Sequence, residues 1–220
     1  MESTGEDPYL NGVMAEAFVQ GYQGKNIKDK GSIAACVKHF AAYGAPEGGR
    51  DYNTVDISKR MLHEFYLPAY KKALDAGAKM IMTAFNTVDS IPATGNKWLM
   101  RDVLRKQWNF DGVSISDYGS VKEMIEHGTS EDEKDAAKNA IEAGLDIEMM
   151  SGTYHNHLET LVNANLIEQS LIDEGVKRVL TLKNELGLFE NPYKDADHEL
   201  EQSLILSEPH KALAKEAAIQ

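Results

Sequence analysis

Four short apolar runs, at positions 34–40, 79–85, 112–118 and 145–150, each give way to polar residues at their C-terminal ends. Their hydrophobicity is continuous rather than alternating, the pattern of a strand buried on both faces in a parallel sheet. The stretches between them carry helical spacing instead. Segment 58–76 sets Met61, Leu62, Phe65, Tyr70 and Leu74 near one face of a helix, and 97–107 does the same with Leu99, Val103 and Leu104. Segment 131–143 is alanine-rich between charged faces, and 121–127 reads as a short helix. Further helices are predicted at 8–21, 155–164 and 169–186. Gly187 and Pro192 then end the regular pattern, leaving a charged segment at 194–201 and a helical tail from Glu208.

The last three runs begin at 79, 112 and 145, a repeat of 33 residues, the length of one strand–helix unit with its connections. Strict alternation of strand and helix predicts an α/β fold with a parallel sheet and helices outside it. Four strands do not close the (β/α)8 barrel that this alternation points to, because closure takes eight. The first element is a helix with no strand before it. An open sheet would keep unpaired edges and an uncovered inner face. The expectation is the C-terminal half of a TIM-barrel-like fold: about four parallel β/α units plus C-terminal helices, with no domain boundary inside 1–190 and a linker with a helix at 191–220.

Charge narrows the partners. The 220 residues carry a net charge of −12, and phosphate binding needs a cationic face, so nucleic acid and anionic membrane are disfavoured. No apolar run approaches the ~20 residues of a membrane span. One cysteine, Cys36, provides neither a disulfide framework nor a cysteine metal cluster. His155 and His157 sit two apart, which on a helix does not place them on one face for zinc. Residues 1–7 lack the basic and apolar leader of a secretory signal.

In a parallel barrel, reactive groups sit where strands end. Lys38 and His39 interrupt an otherwise apolar strand; buried there they need polar partners, whether a ligand or a structural salt bridge. Asp117 ends the third run, and its carboxylate is open to three readings: nucleophile, metal ligand or N-cap of the following helix. Arg50 follows Gly48 and Gly49 on a flexible loop; its fork suits hydroxyls or a carboxylate, or a surface pair with Asp51 or Asp56.

Several motifs then occur in order: Lys38-His39-Phe40, Gly48-Gly49-Arg50-Asp51-Tyr52, Met82-Thr83-Ala84-Phe85-Asn86 and Ser116-Asp117-Tyr118-Gly119. They are joined by Trp98-Leu99, Val103-Leu104-Arg105, Trp108-Asn109-Phe110-Asp111-Gly112 and Ala143-Gly144-Leu145-Asp146. This set resembles glycoside hydrolase family 3, of the periplasmic β-glucosidase type, from about residue 3 to about residue 218. The resemblance implies a barrel domain followed by an α/β sandwich and retaining hydrolysis of β-linked glycosides. It implies Asp117 as the nucleophile, with Lys38, His39 and Arg50 as hydrogen-bonding partners of the sugar. Tyr118 takes the place where many members carry tryptophan, and Phe85 the place where some carry tyrosine. Glu123, six residues past Asp117, matches the position assigned as acid/base in the periplasmic type; its alternative is a solvated helix-face carboxylate. Non-proline cis peptides in the Lys-His strand are implied as well. No metal or organic cofactor is implied. The partners implied are a β-linked glucoside or oligosaccharide and, for a half-barrel, a second copy or a complementary barrel fragment. A periplasmic or secreted location follows from the resemblance alone. Residues 2–10 resemble a mid-barrel segment, and 208–220 the helix leading to the sandwich.

Overall fold

The computed structural model describes residues 4–219; Glu2 and Ser3, the start of the mid-barrel resemblance, lie outside them. Helix α1 (Pro8–Gln23) begins where Asp7 accepts the N–H groups of Tyr9 and Leu10, with Pro8 in the first turn, where no N–H is needed. The parallel strands are β1 (Cys36–Phe40), β2 (Met80–Thr83) and, after a two-residue hairpin pair β3 (Thr87–Val88) and β4 (Ile91–Pro92), β5 (Val113–Ile115). Their order is β1-β2-β5, with Cys36 opposite Met80 and Met80 opposite Val113. The β1–β2 register shifts between Val37 and Phe40, where the Lys38–His39 and Phe40–Ala41 peptides are cis.

The remaining helices are α2 (Lys59–Met61), α3 (Pro68–Asp75), α4 (Ser120–Glu123), α5 (Glu133–Ala143), α6 (Thr153–Asn163), α7 (Gln169–Glu185), α8 (His198–Leu204) and α9 (Glu208–Ile219). Alternation of strand and helix is as the hydrophobic pattern predicts. Four details differ. The helix expected over 58–76 is interrupted by a π-helical turn, Leu62–Tyr66. Pro68 cannot donate a backbone hydrogen bond and its ring crowds the preceding turn, so the Leu67 N–H reaches back five residues to the Leu62 carbonyl. Segment 97–107 is helical but wide-turned, Trp98–Gln107.

The fourth run, 145–150, pairs with β5 only through one parallel bridge, Ile115 to Ile147. Side chains add to the few backbone hydrogen bonds there. Asp146 Oδ2 accepts the Ser114 N–H at 2.8 Å, and Ser116 Oγ accepts the Met149 N–H at 2.8 Å. The β3–β4 hairpin was not expected, because its turn residues Asp89 and Ser90, both at positive φ, lack the glycine that advertises such a turn.

One core lies between the sheet and its helices, built on Phe40, Leu62, Leu67, Ile81, Leu99 and Leu104. Helix α1 packs on α3, with Gly12 against the Lys72 stem. The Gln23 side chain clamps the starts of β1 and β2 by accepting the N–H groups of Ala35 and Lys79, both at 3.1 Å. The charged segment expected at 194–201 contains the start of α8. Ahead of it, Lys194 Nζ donates to the carbonyls of Ile27 and Asp29, fastening this region to the loop after α1.

Candidate active site

The C-terminal ends of β1, β2 and β5 open into a cavity of about 510 Å³ lined by Lys38, His39, Tyr43, Asp51, Phe85 and Asp117, with Gly49 and Tyr52 at its loop side. Each strand contributes within two residues of its C-terminal end. Lys38 and His39 lie in β1, Phe85 two residues beyond β2, and Asp117 two residues beyond β5.

Asp117 is buried, 8% exposed. Its Oδ1 accepts the Tyr118 N–H at 2.7 Å. Its Oδ2 faces His39 Nε2 at 3.2 Å, an ion-pair distance without the alignment of a hydrogen bond. The N-cap reading is overturned. Gly119, in the left-handed region at φ 73°, caps α4, and it is the Asp117 backbone carbonyl that receives the Ser120 N–H. Only glycine takes that conformation cheaply, and it turns the chain from strand to helix while leaving the carboxylate on the cavity. His39 is fixed from the other side, where Tyr70 donates to its carbonyl oxygen and its ring meets Tyr43 edge-on at 5.0 Å.

Glu123 ends α4. Its Oε2 is buried without a hydrogen-bond partner among the described residues. Burial first, and then the Asp117 charge, raise its carboxyl above the ordinary range. Glu123 and Asp117 therefore feel one another although Glu123 does not line the cavity. A buried hydroxyl chain supports the start of α4: Thr83 to Thr94 and Thr94 to Ser120, each at 2.9 Å.

Arg50 and Tyr118 are placed differently. Arg50 is exposed on the loop between cavity residues Gly49 and Asp51, outside the lining. Tyr118 is 65% exposed, beside Asp117 on the outer side. The loop itself depends on Gly48 and Gly49, at φ 67° and 65°.

The profile described as Glycosyl hydrolase family 3 N terminal domain matches residues 1–182. The chain belongs to glycosyl hydrolase family 3. A periplasmic β-glucosidase of Salmonella typhimurium is 44% identical over 192 residues, covering 87% of this chain and 25% of that protein. A β-xylosidase of Formosa agariphila is 34% identical, covering 99% of this chain and 31% of that one. The crystal structure of a β-glucosidase from Listeria innocua superposes with TM-score 0.95 at 52% identity, over 98% of this chain and 30% of that one, and that enzyme has also been solved in complex with glucose. The chain thus spans between a quarter and a third of the length of these relatives.

Within this family 3 domain, three cavity residues had no role assigned from the sequence: Tyr43, outside every motif, and Asp51 and Tyr52, inside the Arg50 motif. Burial first, and then the neighbouring Asp51 carboxylate, push the Tyr43 phenol up. The rings of Tyr43 and Phe85 lie 6.0 Å apart, and those of Tyr52 and Phe85 4.3 Å apart. A second missed feature supports β5 from beneath. Asp146, its side chain 1% exposed, holds Arg105 Nη2 at 2.9 Å and Arg178 Nη2 at 2.7 Å. Arg105 also donates to the carbonyls of Phe110 and Gly112, and burial lowers its guanidinium to about 10.

Proposed function

We propose that this chain carries the nucleophile and glycone-binding side of a retaining β-glycosidase, acting on terminal β-D-glucosyl residues. The supporting observation is Asp117, a buried carboxylate at a strand end that shares one cavity with Lys38 and His39. Retaining hydrolysis uses two carboxyl groups roughly 5–5.5 Å apart. Asp117 attacks the anomeric carbon as the bond to the leaving oxygen breaks, and the leaving oxygen takes its proton from Glu123. Water then attacks the glycosyl ester, giving its proton to Glu123 and freeing Asp117. A carboxyl whose pKa is raised by burial and by a neighbouring anion suits the acid, and one held by a backbone N–H and beside an imidazole suits the nucleophile. Lys38, His39 and Arg50 serve as donors to sugar hydroxyls, and Phe85 and Tyr118 as apolar surfaces for the ring.

The substrate class is drawn from the relatives, named as β-glucosidases and β-xylosidases. Because this chain covers a minor part of their length, the isolated chain is expected to be a weaker catalyst, lacking sugar contacts that tighten in the transition state. Hydrolysis of a nitrophenyl β-glucoside by this chain and by Asp117→Ala tests the reading. Turnover should fall to background in the variant; turnover that survives rejects Asp117 as nucleophile.

A second reading, assembly with another copy or with a complementary barrel fragment, is favoured by one face of the sheet. Met80 and Met82 alternate with Ile81 and Thr83; the latter pair is fully buried against the helices and the former pair stays partly exposed. Sizing chromatography separates the two, since association buries that face and a compact monomer counts against it. The segment 191–220 is proposed as a linker and helix: its helices α8 and α9 contain no buried residues.

A further inference from the structure

Four rings run in series from the nucleophile to solvent. His39 meets Tyr43, Tyr43 meets Phe85, and Phe85 meets Tyr52, whose rings lie at 4.3 Å and 36°. Only the last ring of the path is exposed. Phe85 is 9% exposed while Tyr52 is 43% exposed, so Tyr52 is backed by Phe85 and still presents aromatic surface outward at the cavity. Tyr52 also adopts φ 65°, a conformation that costs a bulky non-glycine residue free energy. Packing alone does not account for retaining a large exposed ring there.

We propose that Tyr52, backed by Phe85, is the stacking platform for the leaving-group side of the substrate and takes a flat apolar face, an aryl group or a pyranose ring. The assignment rests on the reading of Asp117 as nucleophile and Glu123 as acid, and adds the side of the scissile bond on which this wall stands. The acid must reach the glycosidic oxygen, the atom shared by glycone and leaving group. Tyr52 lines the cavity and is 43% exposed, whereas His39 stands 3.2 Å from Asp117, so the Tyr52 ring lies away from the nucleophile, on the solvent side by which a leaving group departs.

The test is binding of two probes, glucose and phenyl β-thioglucoside, which resists hydrolysis, measured by calorimetry on the 220-residue chain and on Tyr52→Ala and Tyr52→Phe. Tyr52→Ala should weaken the phenyl thioglucoside about twofold to twelvefold, the range of one aromatic stacking contact. Glucose affinity should stay unchanged, which also reports an intact fold, and Tyr52→Phe should bind both probes as the parent does. Equal weakening of both probes in Tyr52→Ala, or weakening of neither, overturns the platform. Absence of binding of either probe by the parent chain overturns the glycosidase reading itself and the platform with it.

Discussion

His39 Nε2 and Asp117 Oδ2 stand 3.2 Å apart although their strands are not neighbours; β2 runs between β1 and β5. The contact spans the ends of three parallel strands. It forms because β1 delivers its imidazole through an irregular register at Val37–Phe40, and because Asp117 lies two residues beyond the end of β5, before the chain turns at Gly119. A basic ring and a carboxylate thus meet over the middle strand, at the end of a parallel sheet where ligands of such folds bind.

Glu123 makes the pH dependence of stability specific. Its carboxyl is raised by burial and by Asp117, so the folded chain binds that proton more tightly than the unfolded chain does. The stability this contributes is fully present below the ordinary carboxyl value, about pH 4. It is lost as pH rises through the higher folded value. Glu123→Gln removes the loss. Thermal unfolding should give matching midpoints for parent and variant near pH 4 and a higher midpoint for the variant at pH 7. Equal midpoints at pH 7, or a lower one for the variant, contradict the assigned causes.

Asp146 is a costly carboxylate to remove. Two arginines converge on it and it also accepts the Ser114 N–H of β5. Asp146→Asn leaves buried guanidinium charge without its counter-ion, a loss of about 3–5 kcal/mol. Urea unfolding measures it. A loss below about 1 kcal/mol, the ordinary value for an exposed pair, would mean that the network is not carrying β5.

Gly112 is needed for space. A Cβ there would meet the Lys79 carbonyl oxygen and the Phe110 ring at 2.5 Å, just where β2 and β5 begin to pair. Gly112→Ala should destabilise by about 1–3 kcal/mol through overpacking, read from the same urea transition. A neutral substitution would show that the loop before β5 yields freely.

Most of the architecture was legible in the hydrophobic pattern because a parallel strand buried on both faces cannot afford polar alternation. Runs 34–40, 79–85 and 112–118 contain the observed β1, β2 and β5, and Lys38, His39, Phe85 and Asp117 were placed at strand ends from that pattern alone. What the pattern could not carry was substitution of backbone partners by side chains. Asp146 and Ser116 take N–H groups that a longer fourth strand would have used, and Pro68 turns one helix into two joined by a π turn. The aromatic wall was also hidden. Tyr43, Asp51 and Tyr52 lie on a loop without periodicity, and only the folded chain brings them to Phe85. Arg50 shows the converse: its motif was conspicuous, yet the side chain sits outside the cavity lining.

The proposed nucleophile, Asp117, can be tested apart from the proposed acid, Glu123. A 2-deoxy-2-fluoro-β-glucoside with a dinitrophenolate leaving group needs no proton from Glu123 to depart, and the fluorine slows release of the glycosyl ester, so an attacking carboxylate is trapped. Mass spectrometry of the digested chain should find the fluoroglucosyl group on the peptide containing Asp117, with none on Asp117→Ala. A label on a different carboxylate, or no label on the parent chain, would contradict the account.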